Sequence, residues 1–306
     1  MKVLIATQKP FSAAAVQGIK EIIEGAGHEF VALEKYPAQE DFVKAVADVD
    51  ALIIRSDKVT EEVISAAPSL KIVVRAGAGY DNVDLEAASK RGIVVMNTPG
   101  QNSNAVAELA LAMMIYMSRC QFTPATGIEL MGKTLGVQAF GNVGRLVGKK
   151  AEALGMKVAA VDPFIPSEKI REMGAEPAES VEELYAKSDF VSIHIPATPQ
   201  TIKSIGYDLI SKMPKGACLV NTARKEVIDE EGLEKVLEER PDLKYVTDVA
   251  PDNYALLKEK FGLRVFATPK KMGAQTAEAN MNAGLAAARQ IVDFFATGNT
   301  RFQVNK

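Results

Sequence analysis

Several things are scarce in this chain, and each scarcity removes a class of protein. Only two cysteines occur, Cys120 and Cys218, far apart in sequence. They form neither a disulfide framework nor a metal-ligand spacing, and so few thiols suit the reducing cytoplasm. Histidine is just as rare. His28 and His194 are the only two, and no His/Asp/Glu/Cys cluster has the spacing of a metal site, so no metal is expected. There is no long basic run and the net charge is −3, which argues against nucleic acid as a partner. The longest apolar run, Leu109–Met117, has nine residues and is too short to span a membrane. The opening Met1-Lys2-Val3-Leu4-Ile5-Ala6 is too short an apolar run for a signal peptide and reads as a first strand.

What is present is an ordinary globular composition. Hydrophobic residues make up 47% and charged residues 25%, and 306 residues suggest two domains. Short apolar runs at Val3–Ala6, Phe30–Leu33, Ala51–Arg55, Ile72–Arg75 and Ile93–Met96 alternate with helical stretches such as Ala13–Gly25 and Glu40–Ala47. That alternation implies an α/β fold with a parallel sheet covered on both faces. It repeats after Pro99, with runs at Phe190–His194, Ala217–Asn221, Lys244–Thr247 and Arg264–Ala267. Between the halves, Asn97-Thr98-Pro99-Gly100-Gln101-Asn102-Ser103-Asn104 breaks structure and can cap the apolar helix expected over Ala105–Arg119. That helix is apolar nearly all round, so burial between domains or subunits is expected. An alanine-rich helix over Thr276–Phe295 can carry the chain back to the first domain. The expected division is 1–98 with 281–306 as a substrate-binding domain and 99–280 as a cofactor domain.

The most informative stretch is Thr134–Asp162. It reads as a strand Leu135–Phe140, a turn Gly141-Asn142-Val143-Gly144, a helix Arg145–Leu154 stopped by Gly155, and a strand Val158–Val161 ending in Asp162. This is a dinucleotide-binding fingerprint in its required context. Gly141 lets the backbone approach a pyrophosphate, Gly144 lets helix and strand pack closely, and the helix N-terminus offers free N–H groups. Asp162, roughly twenty residues on, is placed for a ribose 2′-hydroxyl. The same acid repels a 2′-phosphate, so NAD is preferred over NADP. The first glycine position holds Ala139, which is tolerable there if its φ is negative.

Val74-Arg75-Ala76-Gly77-Ala78-Gly79-Tyr80-Asp81-Asn82-Val83-Asp84, Asn97-Thr98-Pro99, Ala107-Glu108, Asn221-Thr222-Ala223-Arg224 and Thr268-Pro269 follow in that order around the glycine loop. Together they resemble the D-isomer-specific 2-hydroxyacid dehydrogenases over essentially the whole chain. Ile54-Arg55-Ser56 and the Arg75 stretch most resemble the members that oxidise 3-phospho-D-glycerate. The resemblance implies two Rossmann-like or flavodoxin-like domains with parallel sheets and a cleft between them. It also implies NAD, a small phosphorylated 2-hydroxy acid as substrate, and a homodimer formed through the NAD domain. The chain ends shortly after the family's two-domain core, so the regulatory domain of longer members is expected to be missing. Other D-2-hydroxy acids (lactate, glycerate, glyoxylate), or an NAD-sensing corepressor role, are the alternatives.

Arg224 follows the strand Ala217–Asn221, where a fixed guanidinium can hold a 2-hydroxy carboxylate bidentately. The resemblance makes it catalytic. The family's acid/base histidine after Thr-Pro is missing, and Lys270 or Lys271 stands there, depending on whether Thr268-Pro269 or Gly273-Ala274 anchors the alignment. The orienting glutamate falls on Asn253, with Asp252 next to it. The two departures are compatible. A carboxylate beside a lysine, near 10.4 unperturbed, would keep it protonated, whereas burial and neighbouring positive charge would favour the neutral form. The resemblance also puts His194, Pro196, Thr222, Ala223, Gly273 and Ala274 near the cofactor, with Asp248 beside the nicotinamide amide. His28 sits in a turn and is incidental.

On the substrate side Arg55 and Arg75 each end a strand, and two arginines suit a phosphate plus a carboxylate. Ser56 lies beside Arg55. The N–H groups of Gly77-Ala78-Gly79 can form an anion nest, and Asn102 with Ser103 begins a helix, another anion site. Structural ion pairs for the arginines and simple capping for Asn102 and Ser103 remain open alternatives.

Overall fold

The structure, a computed structural model, describes residues 1–306. The chain divides into two compact units, Met1–Asn102 with Gln275–Lys306, and Ser103–Ala274. Each is built on one parallel sheet, the α/β class read from the sequence.

The first unit contains β1 (Lys2–Thr7), β2 (Glu29–Glu34), β3 (Ala51–Ile54), β4 (Ile72–Arg75) and β5 (Val94–Asn97). Their order is β2-β1-β3-β4-β5, the flavodoxin-like arrangement with its switch point between β1 and β3. Side chains alternate between two buried faces. Leu4, Ala6, Leu52 and Ile54 enter one cluster, and Val3, Ile5, Ala51 and Ile53 enter the other. That two-sided burial is why these strands read as continuous apolar runs rather than alternating ones. The helices Ala13–Gly25 and Ala277–Thr297 cover the second face through Ala15, Ile19, Ile23, Ala283, Ala287 and Ile291. The edge strand β5 is covered by the segment near Gln303, which bridges to Met96, while Asn305 Oδ1 accepts the Val95 N–H at 2.9 Å.

The second unit contains β6 (Thr134–Gln138), β7 (Lys157–Val161), β8 (Glu176–Pro177), β9 (Phe190–Ile193), β10 (Cys218–Asn221), β11 (Lys244–Thr247) and β12 (Val265–Ala267). The order β12-β11-β10-β9-β6-β7-β8 is the Rossmann order with one further strand, and its switch point lies between β6 and β9. Leu135, Val137, Cys218 and Val220 face one core, whereas Val191, Ile193 and Leu219 face the other. The apolar helix runs Ser103–Ser118, two residues earlier than expected, and buries Ala107, Ala110, Met113, Met114 and Met117 in the first of these cores. No helix is long and apolar enough to cross a membrane.

Two local expectations around the glycine turn fail. The strand leaves the sheet at Gln138, not Phe140, and the helix spans Asn142–Ala153 instead of starting at Arg145. Gly141 is its N-cap, so Asn142, Val143 and Gly144 form the first helical turn. The chain has to turn sharply within Ala139–Gly141 because helix and strand pack tightly: a Cβ at Gly144 would strike the Ala139 carbonyl and Val137.

Candidate active site

In a parallel sheet every strand delivers its carboxyl end to the same edge. On the second unit that edge collects Ala139–Gly144 after β6, Asp162 after β7, His194 after β9, Thr222–Arg224 after β10, Asp248 after β11 and Thr268 after β12. The His194 N–H donates to the Gln138 carbonyl at 2.9 Å, so the glycine turn and His194 flank the switch point, where such sheets bind ligands.

The glycine turn is shaped for an anion. The Asn142–Ala153 helix leaves its first N–H groups without intrahelical acceptors, and the space around Gly141 is open to 4 Å where a side chain would be. Ala139 does not meet the condition of a negative φ under which alanine is easily tolerated there. Its φ is 73°, in the left-handed region, because the turn must deliver Gly144 against its own carbonyl. Asp162 holds the turn from outside: Oδ2 accepts the Phe140 N–H at 2.8 Å and Oδ1 accepts the Phe164 N–H at 2.9 Å. A carboxylate has about four lone-pair directions, so each oxygen keeps room for a ligand hydroxyl. Sequence reasoning missed Arg145. It lies across the helix mouth, with Nε on the Gly141 carbonyl (3.1 Å) and Nη2 on Asn142 Oδ1 (3.0 Å). The i,i+3 spacing from Asn142 was the available signal.

His194 contacts Ser192 Oγ through Nε2 at 3.0 Å. Burial pushes its imidazole down to about 3, so the ring is neutral and a poor proton acceptor near pH 7. Pro196 C=O accepts from Thr201 Oγ1 at 2.5 Å, which ties the segment after His194 to its own return. The Thr222–Arg224 turn is locked by the fully buried Asn221, whose Oδ1 accepts the Ala223 N–H and whose Nδ2 donates to the Arg224 carbonyl, both at 2.9 Å. Arg224 is half-buried, and its Nη1 donates to the Ala223 carbonyl at 2.9 Å. Thr222 is buried, and its hydroxyl has no hydrogen-bond partner in the chain. An orphan hydroxyl at a ligand-binding edge, an open Gly141 and a free helix N-terminus together fit a dinucleotide.

The two lysines sit at the tip of a loop rooted on Asp248. That carboxylate accepts from Thr268 Oγ1 (2.8 Å), the Met272 N–H (2.7 Å) and the Gly273 N–H (2.8 Å). Lys270 and Lys271 are both exposed, so the burial expected to favour a neutral lysine is missing from the chain itself. The Asp252 carboxylate pairs with Lys225 Nζ at 2.5 Å, and that hydrogen bond raises the Lys225 pKa. Asn253 donates its N–H to Glu230 Oε2 at 3.2 Å, and its own Oδ1 is buried without a partner. Glu230, which also takes the Asp252 N–H at 2.9 Å, was not foreseen; it lies 22 residues away in sequence and no local pattern marks it.

In the first unit, Arg55 and Arg75 stand at neighbouring strand ends, since Ile54 is in register with Arg75. Arg55 fills the β1/β3 switch point. Its Nη1 donates to the Lys9 (2.9 Å) and Pro10 (3.0 Å) carbonyls, its Nη2 bonds Asn280 Oδ1, and it lies over the Phe11 ring. Arg75 donates from Nε to the Arg55 carbonyl at 3.0 Å. Its guanidinium lies where a Cβ at Gly77 would be, and Gly77 itself has φ 150°, a conformation that favours glycine. Ser56 and Ala78 are exposed, Gly79 and Asn102 half-buried. The Ala78 carbonyl accepts from Asn97 Nδ2 at 2.6 Å.

Residues 4–305 match the family model described as D-isomer specific 2-hydroxyacid dehydrogenase, catalytic domain. The chain belongs to that family. Among its relatives, a D-3-phosphoglycerate dehydrogenase of Methanocaldococcus jannaschii is 39% identical over 83% of this chain and 51% of its own length. A hydroxypyruvate reductase of Thermotoga maritima is also 39% identical, over 83% of this chain and 87% of its own length. A solved structure of NAD+-bound 3-phosphoglycerate dehydrogenase from Entamoeba histolytica superposes with a TM-score of 0.89 at 51% identity, covering 100% of this chain and 99% of that one. This family member spans about half the length of the archaeal phosphoglycerate dehydrogenase it matches.

Two expectations follow from the site. A left-handed alanine costs roughly 1–2 kcal/mol, partly offset by the greater chain entropy glycine loses on folding. Ala139→Gly should therefore stabilise the protein by up to about 1 kcal/mol in urea unfolding; a loss of stability would contradict the observed turn. His194 stays neutral when folded down to about pH 3, whereas an unfolded histidine titrates near 6.5. Between those values the unfolded chain binds more protons. The contribution is thus full above about 6.5 and is lost as pH falls toward 3. His194→Gln should flatten the decline of stability from pH 6.5 to 4, and an unchanged slope would exclude His194 as its source.

Proposed function

We propose that this chain oxidises 3-phospho-D-glycerate to 3-phosphohydroxypyruvate with NAD, the first step of serine biosynthesis. The carboxyl edge of the second sheet carries the reading, because the glycine turn, Asp162, Arg224 and the Lys270–Lys271 loop all arise there. The phosphoglycerate dehydrogenases of Methanocaldococcus jannaschii and Entamoeba histolytica support it. When bound, NAD supplies the hydride acceptor. Ala139, Gly141, Asn142, Val143 and Gly144 receive its pyrophosphate, and Asp162 accepts from its ribose 2′-hydroxyl. His194, Pro196, Thr222, Ala223, Gly273 and Ala274 line its nicotinamide half.

Arg224 holds the substrate carboxylate and orients C2. The C2 hydrogen leaves as hydride, the hydroxyl proton passes to Lys270 or Lys271, and the C2–O bond becomes a carbonyl. Asn253, at the place of the orienting glutamate, carries no charge that would hold a lysine protonated. Arg55, Ser56, Arg75, the Gly77–Gly79 nest and Asn102 receive the phosphate. The protein acts in the cytoplasm as a homodimer through its second unit. The free thiols Cys120 and Cys218 suit that compartment, and Ile115, Ile128, Met131 and Leu154, all exposed around one cavity of about 240 Å³, suit a self-association surface.

One observation favours a second reading, an unphosphorylated substrate. Three acceptors within the chain already occupy the Arg55 fork, and the Thermotoga maritima relative is a hydroxypyruvate reductase.

Turnover of 3-phospho-D-glycerate, D-glycerate and D-lactate with NAD and NADP tests both. The phosphorylated acid with NAD should have the highest kcat/KM. Equal or better use of D-glycerate selects the second reading, equal use of NADP rejects the role given to Asp162, and tight NAD binding without any turnover rejects the dehydrogenase. One of Lys270→Ala and Lys271→Ala should lose roughly two or more orders of magnitude in kcat, as for a lost general base. Full activity in both variants would send the search for the base elsewhere.

A further inference from the structure

We infer that Asp248 is a positioning residue that holds the lysine loop in place, whatever contact it also makes with the nicotinamide amide. It stands just past β11 and is 1% exposed. The carboxylate accepts from the Thr268 hydroxyl and the Met272 N–H on Oδ1, and from the Gly273 N–H on Oδ2. These donors lie on both sides of Pro269-Lys270-Lys271, so the chain leaves one carboxylate at Thr268 and returns to it at Met272. The Thr268 N–H also donates to the Thr247 carbonyl at 3.0 Å, which roots the loop in the β11–β12 pairing. On the return side the fit is close. A Cβ at Gly273 would lie 3.1 Å from Asp248 Oδ2 and 3.1 Å from Val106 Cγ2, so glycine is what lets that N–H approach.

The reason for such a clasp follows from what it carries. Both lysines are exposed on flexible stems, whereas a proton acceptor must stay within hydrogen-bond reach of the substrate hydroxyl. Fixing the root of the loop sets where its backbone presents the two side chains. A buried carboxylate is strong enough for this, because its bonds to N–H and O–H groups are charge-assisted and formed away from water. The effect on turnover rests on the dehydrogenase reading; the effect on the loop does not.

Asp248→Asn tests it, since an amide must turn its NH₂ toward at least one of the three donors. In NAD-free protein, amide hydrogen exchange at 270–273 should accelerate roughly tenfold or more while the β6, β9 and β10 amides keep their protection. In the enzyme assay kcat should fall roughly 10- to 100-fold, as for a displaced catalytic group, with the NAD Kd changed less than about 3-fold. Thr268→Val removes a single donor at nearly constant volume and should show the same pattern more weakly, which keeps the test open if Asp248→Asn folds poorly. Unchanged loop exchange with lost NAD affinity would leave Asp248 a cofactor ligand alone and overturn the inference. Exchange rising throughout the second unit in both variants would overturn it too, by leaving only a structural role. If wild-type protein turns over no D-2-hydroxy acid, the dehydrogenase reading fails while the exchange result still decides the clasp.

Discussion

Parallel strand pairing is the constraint on which the rest depends. Because each connection returns the chain to the same end of its sheet, residues far apart in sequence arrive at one edge without any direct attraction between them. Ala139, Asp162, His194, Arg224, Asp248 and Thr268 come together in the second unit for that reason, as do Arg55, Arg75 and Asn97 in the first. The strands need only be apolar on both faces to do this. The chemistry is left to the loops, which the core does not restrain.

Buried or half-buried carboxylates supply that restraint. Asp57 takes the Gln8 N–H (2.7 Å) and the Tyr36 hydroxyl (2.7 Å), Asp162 takes the N–H groups of Phe140 and Phe164, Asp248 those of Met272 and Gly273, and Glu230 those of Asp252 and Asn253. In each case an acid tied to one strand or helix end fixes the backbone of another segment. Loops closed this way keep their N–H groups satisfied without a helix or a further strand. Removing such an acid leaves several donors unpaired at once, so its effects spread beyond the residue itself.

The strands were legible because burial on both faces leaves a run of apolar residues, and β4 and β11 fall where the runs at Ile72–Arg75 and Lys244–Thr247 put them. The glycine turn was legible because its spacing is local. Its conformation was not: Ala139 takes φ 73° because Gly144 packs against its carbonyl, a contact between strand and helix that spacing alone does not reveal. Partners across long separations were equally hidden. Nothing in the sequence near Arg55 announces Asn280, 225 residues on, and nothing near Asn253 announces Glu230. Side-chain chemistry at a strand end can be read from one sequence; what that side chain touches depends on which segments the sheet brings beside it.

The two arginines of the first unit show why that difference matters for function. Both end strands and both carry the same charge, so the sequence gives them equal standing as anion receptors. Arg55, however, holds the Lys9–Pro10 backbone and the side chain of Asn280 in the β1/β3 switch point, and desolvation lowers its pKa while Asp57 opposes that shift. A ligand reaching it must use its remaining donors or displace a carbonyl. Arg75 is held differently, by Nε on the Arg55 carbonyl and by the space Gly77 leaves. A charge fixed by its own chain favours an anion without moving to meet it, which is the preorganised arrangement an anion site needs. The same anchoring makes Arg55 part of the fold, so its removal disturbs the Lys9–Pro10 segment as well as any bound phosphate. Arg75 instead bonds the Arg55 carbonyl and lies beside Gly77, and the geometry therefore separates two residues that the sequence could not.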